Sequence, residues 1–329
     1  MKRRDFLTLG AGALVVRPTF ARAQQPRSRR LAVLHAAREG DPDSRANLEV
    51  FRVALSELGW SEGSNIRTEY RWAGGDRKLM SSLATELAAS NPDAFLAITT
   101  PVTSAIQAVS KSIPIVFVNV SDPIGDGIAK SLSHPGTKTG FVNFEAPVAT
   151  KWLQLLKEIA PAISQAAIII NPETAPGGGR YFSSPFVDAA RLLGIKPSVA
   201  LVRSEAEIEK VVASLGLDAG ALVVPPGGAF TRTHRDAIIR SAQIHKVPAI
   251  YFERFFALTG GLISYGPDYS RLFSQAASYI DRILKGTSPA ELPIQLPSKF
   301  EMVINLRTAK ALSLTVPNAM QLLADEIIE

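Results

Sequence analysis

The chain has 329 residues, 46% apolar and 20% charged, and no cysteine, which excludes disulfides, cysteine-ligated zinc or iron–sulfur centres, a thiol nucleophile and an acylated cysteine anchor. Length and composition are those of a globular protein of one large domain or two smaller ones. The net charge of +6 does not point to nucleic acid, which needs a basic face: Lys2, Arg3, Arg4, Arg17 and Arg22 against Asp5 place +4 of it in the first 23 residues, and the other 306 carry only +2.

That amino-terminal charge reads as an address. Lys2-Arg3-Arg4-Asp5-Phe6-Leu7 is a twin-arginine pattern, an apolar run occupies residues 6–16, and Ala21-Arg22-Ala23 offers a small-x-small cleavage site before Gln24. The run falls well short of the roughly 20 residues that span a bilayer. Residues 1–23 are expected to be a Tat-type signal peptide cleaved after Ala23, and the mature protein is expected in the periplasm.

After a short linker, residues 31–35 predict a first strand ending at His35. The apolar spacing of Leu48, Phe51, Leu55 and Leu58 predicts a helix from about Pro42 that stops at Gly59. Residues 66–72 alternate as a second strand, Asp76 can cap a helix over 77–89, and residues 94–98 form a third strand ending at Thr99-Thr100-Pro101. Proline at a first helical position suits a helix over 102–109.

The most informative stretch follows. Residues 113–120 form a β-branched apolar run, too short for a typical helix and suited to a strand buried on both faces of a parallel sheet. It stops at Ser121-Asp122-Pro123, and ligands of open α/β sheets sit at such carboxyl ends of strands.

A strand at 140–144 closes this series, and the helix carrying Trp152, Leu155, Leu156 and Ile159 opens a second one. Its strands are expected at 166–170, 198–202, 221–224 and 249–252, with helices at 185–193, 205–215 and 231–245 between them. Near Gly260-Gly261 the chain is expected to cross back through a strand at 262–265 and an amphipathic helix. Residues 289–297, with three prolines, read as an extended connector, and 300–305 as the last strand. The fold class is α/β, two doubly wound Rossmann-like lobes joined by a hinge with about three crossovers. Lobe 1 is assigned 29–145 plus 260–290, and lobe 2 is assigned 146–259 plus 291–329. A single sheet of this size is disfavoured because single cores stop growing near 300 residues.

The loops carry no recognisable catalytic set. There is no G-x-S-x-G elbow, no P-loop lysine and no H-E-x-x-H helix, and the four histidines are isolated in sequence. Neither catalytic residues, metal nor cofactor is expected. The loops offer hydrogen bonds instead. Thr99 and Thr100 bring hydroxyls and helix N–H groups together, suited to a carboxylate. Ser121 ends the central strand, and Asp122 either holds an ammonium or caps a helix. Asn171 ends a strand of the second series, while Tyr251 and Tyr265 each present a ring face and a hydroxyl.

Several ordered blocks resemble the tryptophan-binding-protein-like family of ABC-transporter substrate-binding proteins. The densest are Ile113-Pro-Ile-Val-Phe…Asp122-Pro-Ile-Gly, Lys151-Trp-Leu-Gln-Leu-Leu-Lys-Glu-Ile-Ala-Pro161 and Gly260-Gly-Leu-Ile-Ser-Tyr-Gly-Pro-Asp268. Others run through Tyr279…Gly286, Phe300…Leu306 and Ala324…Ile328. The resemblance implies the type 1 periplasmic-binding-protein fold and a monomeric receptor, not an enzyme. Such a receptor closes on a small solute (carboxylate, aromatic acid or amino acid) and hands it to ABC permease subunits. Carried over by position, it implies ligand contacts at His35, Thr99, Thr100, Ser121, Asp122, Asn171, Gly227, Gly228, Tyr251 and Tyr265. A periplasmic sensor component docking a signalling receptor is the alternative. A sugar-repressor effector domain is not, since no helix-turn-helix precedes the first strand.

Overall fold

A computed structural model describes residues 28–329; the signal expected at 1–23 lies outside them. Among the described residues no helix is long and apolar enough to cross a membrane.

The first lobe is built on β1 (Arg29–His35), α1 (Pro42–Glu57), β2 (Ile66–Trp72), α2 (Arg77–Ala89), β3 (Ala94–Ile98), α3 (Thr100–Val109), β4 (Ile115–Val120) and β5 (Lys138–Val142). Its five strands lie in the order β2-β1-β3-β4-β5, all parallel. Every residue of β3 is buried, as an apolar run covered on both faces requires. α1 starts where Asp41 accepts the N–H of Ser44 at 2.8 Å, and α2 where Asp76 caps Lys78 and Leu79.

The second lobe continues with α4 (Val148–Ile159), β6 (Gln165–Ile170), α5 (Arg180–Leu192), β7 (Lys196–Leu201), α6 (Glu205–Leu217), β8 (Gly220–Val224), α7 (Ala229–Thr233), α8 (Arg235–Ile244), β9 (Ala249–Tyr251), α9 (Arg254–Leu258) and β10 (Ile263–Pro267). Then come α10 (Tyr269–Leu284), β11 (Phe300–Asn305), α11 (Leu306–Ala311), α12 (Asn318–Leu323) and β12 (Glu326–Ile328). The second sheet has the order β12-β11-β10-β9-β8-β6-β7, parallel except for the antiparallel β10–β11 pair. Two sheets, each flanked by helices, make the doubly wound two-lobe architecture of type 1 periplasmic binding proteins.

Four sequence expectations are corrected. The strand expected at 262–265 in the first lobe is β10 of the second sheet, with Ile263 paired to Ile250 of β9 and to Ile304 of β11. An apolar run buried on both faces suits either sheet, so periodicity could not assign it. The crossing comes one strand later, at Asp268, after which α10 packs on α1 and beneath β3, β4 and β5. The connector after α10 also stays with the first lobe, where Gln295 bonds the backbone of Gly140 and Val142; the chain returns only between there and Phe300. Finally, the helix expected over 231–245 is broken at His234 into α7 and α8, and β12 follows the strand expected to be last.

All three crossovers meet one aromatic cluster. Phe144 of the first packs on Trp152, Phe182, Phe252 and Phe300, with ring centroids 5.5–6.3 Å apart. Tyr265, at the second, stacks on Phe300, at the third, and accepts the Trp152 indole N–H at 2.8 Å through its carbonyl. Gly266 fits here because a Cβ would sit 1.8 Å from the carbonyl oxygen of Phe252.

Candidate functional site

The carboxyl ends of β1, β3 and β4 face those of the second sheet across a cleft. An outer cavity of about 410 Å³ lies between His35, Arg38 and Asp41 on one side and Arg232, Arg235 and Asp236 on the other. It adjoins a smaller inner chamber, and Thr99, Asn119, Gly228 and Arg232 line both.

The first-lobe wall is built by strand ends in unusual backbone conformations. Thr99 has φ +91° and Asn119 has φ +62°, in the region that non-glycine residues rarely occupy and that clusters at functional sites. Asn119 sits where the β4–β5 register shifts between Val118 and Val120, so the strand bulges at the cleft. Thr99 precedes α3, whose amino terminus has no side-chain cap. The hydroxyl of Thr99 and Oδ1 of Asn119 are buried without a hydrogen-bond partner among the described residues. Such atoms are costly unless something else satisfies them.

His35 is buried and stacked on Trp72 at 4.7 Å. Its Nδ1 accepts the N–H of Ala37 at 2.9 Å, which assigns the proton of the neutral ring to Nε2. Burial, assisted by the nearby Arg232 charge, lowers its pKa to about 3, so the ring donates without being a cation.

The second-lobe wall is a charged floor. Arg232 of α7 donates to Glu253 at 2.8 Å, and its guanidinium lies 5.8 Å from the Phe252 ring and 5.5 Å from that of Tyr269, the first residue of α10. Burial alone would lower the pKa of Arg232, but Glu253, Tyr269, Asp41 and Asp43 hold it above the usual value, so it stays charged. Burial raises that of Glu253 against the pull of Arg232.

The lobes touch around this cleft. Asp43 of α1, 5% exposed, pairs with Arg235 of α8 at 3.1 Å; Asp126 accepts the N–H of Gly177 at 3.3 Å, and Arg77 donates to the carbonyl of Glu173. The cleft is closed in this arrangement.

Five of the residues singled out from sequence, His35, Thr99, Thr100, Ser121 and Gly228, line the cavities. The others stand elsewhere. Asn171 is spent on its own loop, accepting from the backbone of Glu173 and Thr174 and donating to the carbonyl of Val202. Gly227 accepts the Thr174 hydroxyl and bonds Thr231. Tyr251 is buried and stacked on Phe256 at 4.9 Å, because strand alternation turns it into the core while Phe252 faces the chamber. Tyr265 lies against Phe300 in the hinge cluster.

Asp122 accepts the N–H of Gly125 at 2.8 Å and does not line either cavity, which favours the turn-capping role. Asp122→Ala is expected to lower stability by about 1 kcal/mol and leave solute affinity within twofold. A tenfold loss in titration calorimetry would return Asp122 to the cleft.

Arg232, Arg235, Asn119 and Tyr269 were missed from sequence. Thr231-Arg-Thr-His-Arg-Asp236 reads as a solvated helical face, and Tyr269 as part of an amphipathic helix. Only Asn119, the one polar residue of β4, left a visible signal.

With this geometry in view, the comparisons with known proteins are informative. A family profile described as ABC transporter substrate binding protein matches residues 41–328. A tyrosine-binding protein of Clostridioides difficile (strain R20291) is 26% identical over 279 residues, covering 84% of this chain and 80% of its own. Among solved structures, a conserved domain protein of Vibrio cholerae superposes with TM-score 0.84 at 25% identity, covering 92% of this chain and all of its own. An ABC domain of Streptococcus pneumonia in complex with L-Trp also reaches 0.84, at 22% identity and the same coverage. The ligand-free, open structure of CD0873 from Clostridium difficile reaches 0.68 at 24% identity, covering 91% and 99%.

Proposed function

The chain belongs to the family of ABC transporter substrate binding proteins, which are not enzymes, and from that premise we propose that it is the solute receptor of an importer. It closes its two lobes over a small organic solute bearing a carboxylate and presents the closed form to membrane permease subunits. The observation that carries this reading is the closed cleft itself. Buried hydrogen-bonding groups with no partner among the described residues, Thr99 and Asn119, line it, and Arg235 donates to Asp43 across its rims.

Closure follows from population shift: a solute that touches both walls stabilises the closed form by its differential affinity. The better superposition on a ligand-bound relative than on a ligand-free open one supports assigning this arrangement to the solute-bound state. The receptor acts as a monomer in the periplasm, exported by the Tat route. The tyrosine-binding relative and the L-Trp complex place amino acids among the solutes to be tested, beside aromatic acids and other carboxylates.

A melting screen of the purified protein, stripped of carried-over solute, tests the reading. A solute at a hundred times its Kd adds about 2.7 kcal/mol, enough to raise the melt by several degrees, and is recovered intact. A melt indifferent to every small molecule, or a solute chemically altered afterwards, would refute it.

A further inference from the structure

Resting on the receptor reading, we infer that the solute is a short hydroxycarboxylate without an ammonium group, its carboxylate held at Arg232 and the amino terminus of α3 and its hydroxyl at Asn119. The argument is a count of donors and acceptors in the inner chamber and at its mouth. Donors dominate. Arg232 presents a planar fork of N–H groups, of which the contact to Glu253 occupies one arm. Thr99 is 9% exposed, its hydroxyl has no partner among the described residues, and it stands at the uncapped start of the ten-residue α3, whose first-turn N–H groups favour an anion. His35 adds its Nε2–H at the boundary with the outer cavity.

Anionic acceptors are scarce. Among the described residues no carboxylate lines the inner chamber; Glu253 is paired with Arg232. The acids of the outer cavity, Asp41 and Asp236, do not line the inner chamber, and each spends one oxygen within the protein, Asp41 on the N–H of Ser44 and Asp236 on Arg235. The Ser121 hydroxyl bonds Asn143. The unpartnered groups lining the inner chamber are all neutral: the hydroxyls of Thr99 and Tyr269, and Oδ1 of Asn119, the one among them that only accepts. An ammonium there would sit beside the Arg232 cation with no carboxylate in the lining to offset its charge, whereas a hydroxyl is satisfied by the neutral Oδ1 of Asn119.

The size and character of the wall point the same way. The aromatic rings at the floor, Phe252 and Tyr269, are already covered by the Arg232 guanidinium. The outer cavity is walled by Arg38, Asp41, Thr233, Arg235 and Asp236, with Ala36 and Ala37 the only apolar side chains among the described residues. It offers an aromatic side chain no apolar slot.

The test uses pairs of probes that differ only in hydroxyl against ammonium: glycolate and glycine, L-lactate and L-alanine, L-malate and L-aspartate, and 3-(4-hydroxyphenyl)lactate and L-tyrosine. Calorimetry on the purified protein is expected to show the hydroxy acid binding at least about tenfold more tightly in each pair that binds, with a short acid ahead of the aromatic one. Thr99→Val, which removes the orphan hydroxyl at constant shape, is expected to weaken that binding about tenfold without lowering the melt of the solute-free protein. Arg232→Lys, which keeps the charge but loses the fork, is expected to weaken it more. Tighter binding of the amino acid, binding of a sugar or nucleobase alone, or full affinity in both variants overturns the inference while the receptor reading stands. Silence from every probe overturns the inference, and the receptor reading is then decided by the melting screen.

Discussion

Between pH 6.5 and about 8, solute affinity is expected to fall as pH rises, by up to about tenfold per unit. The cause is the Asp43 carboxyl, shut between the lobes. Burial first, then the charges of Glu253 and Asp41, raise its pKa to about 8 in the closed form, against the opposing pull of Arg232 and Arg235. These groups reach it from every side: Asp41 from the turn before α1, Arg232 and Arg235 from α7 and α8, Glu253 from the end of β9. Opening separates Asp43 from the second lobe and returns it toward its ordinary 3.8.

A group whose pKa is higher in the closed state takes up a proton on closing. Its contribution to closure is therefore complete below the open-state pKa and disappears as pH rises through the closed-state value. His35 works in the opposite sense. Its closed-state pKa is lowered from 6.5 to about 3, so closing expels its proton and is penalised below 6.5. Above that pH the ring is neutral in both states and the Asp43 effect stands alone. Titration calorimetry at fixed ionic strength should show this slope, and Asp43→Asn, uncharged at every pH, should flatten it. Affinity that is level or rising over the window in the unaltered protein would dismiss the linkage.

The second large effect is on the fold. Trp152→Ala is expected to cost about 3–5 kcal/mol, the range for truncating a buried tryptophan. Trp152 is fully buried, with Phe144 at 5.5 Å and Phe182 at 5.7 Å, and its indole N–H satisfies the carbonyl of Tyr265. Truncation opens a void where the crossovers converge and removes the donor from a half-buried carbonyl. In a two-lobe protein unfolding need not be a single transition, so calorimetric scans should show the second-lobe transition falling, by roughly 2–4 °C per kcal/mol. Trp152→Phe, which refills part of the volume but leaves the carbonyl unpaired, should fall between the two. A loss below about 1 kcal/mol in the alanine variant would mean that the cluster does not bear on stability.

Much of the fold was legible because its strands are short apolar runs separated by capped helices; β3 and β4 announce themselves, and Asp76 marks the start of α2. What could not be read was partnership. The run containing Ile263 suits either sheet, and only pairing with Ile250 and Ile304 decides between them. The site divides the same way. Strand-end position found His35, Thr99 and Ser121, but it does not say where a side chain points, and Tyr251 turned into the core. The arginines of the floor acquire their meaning from residues far off in sequence: Arg232 lies 21 positions from Glu253 and Arg235 lies 192 from Asp43.

The passage from β10 to α10 takes a single residue, Asp268, and the helix it begins starts with Tyr269, against Arg232. Asn143, on the first crossover, borders the same chamber. The chamber thus sits at the spine of the book and the rim contacts, such as Asp126 with Gly177, at the edges of its pages. Rotation about the spine moves the edges far and the floor little. A solute can then meet most of its anchoring groups while the cover is still open, so that the width of the mouth governs how fast it arrives and the meeting of the edges governs how long it stays.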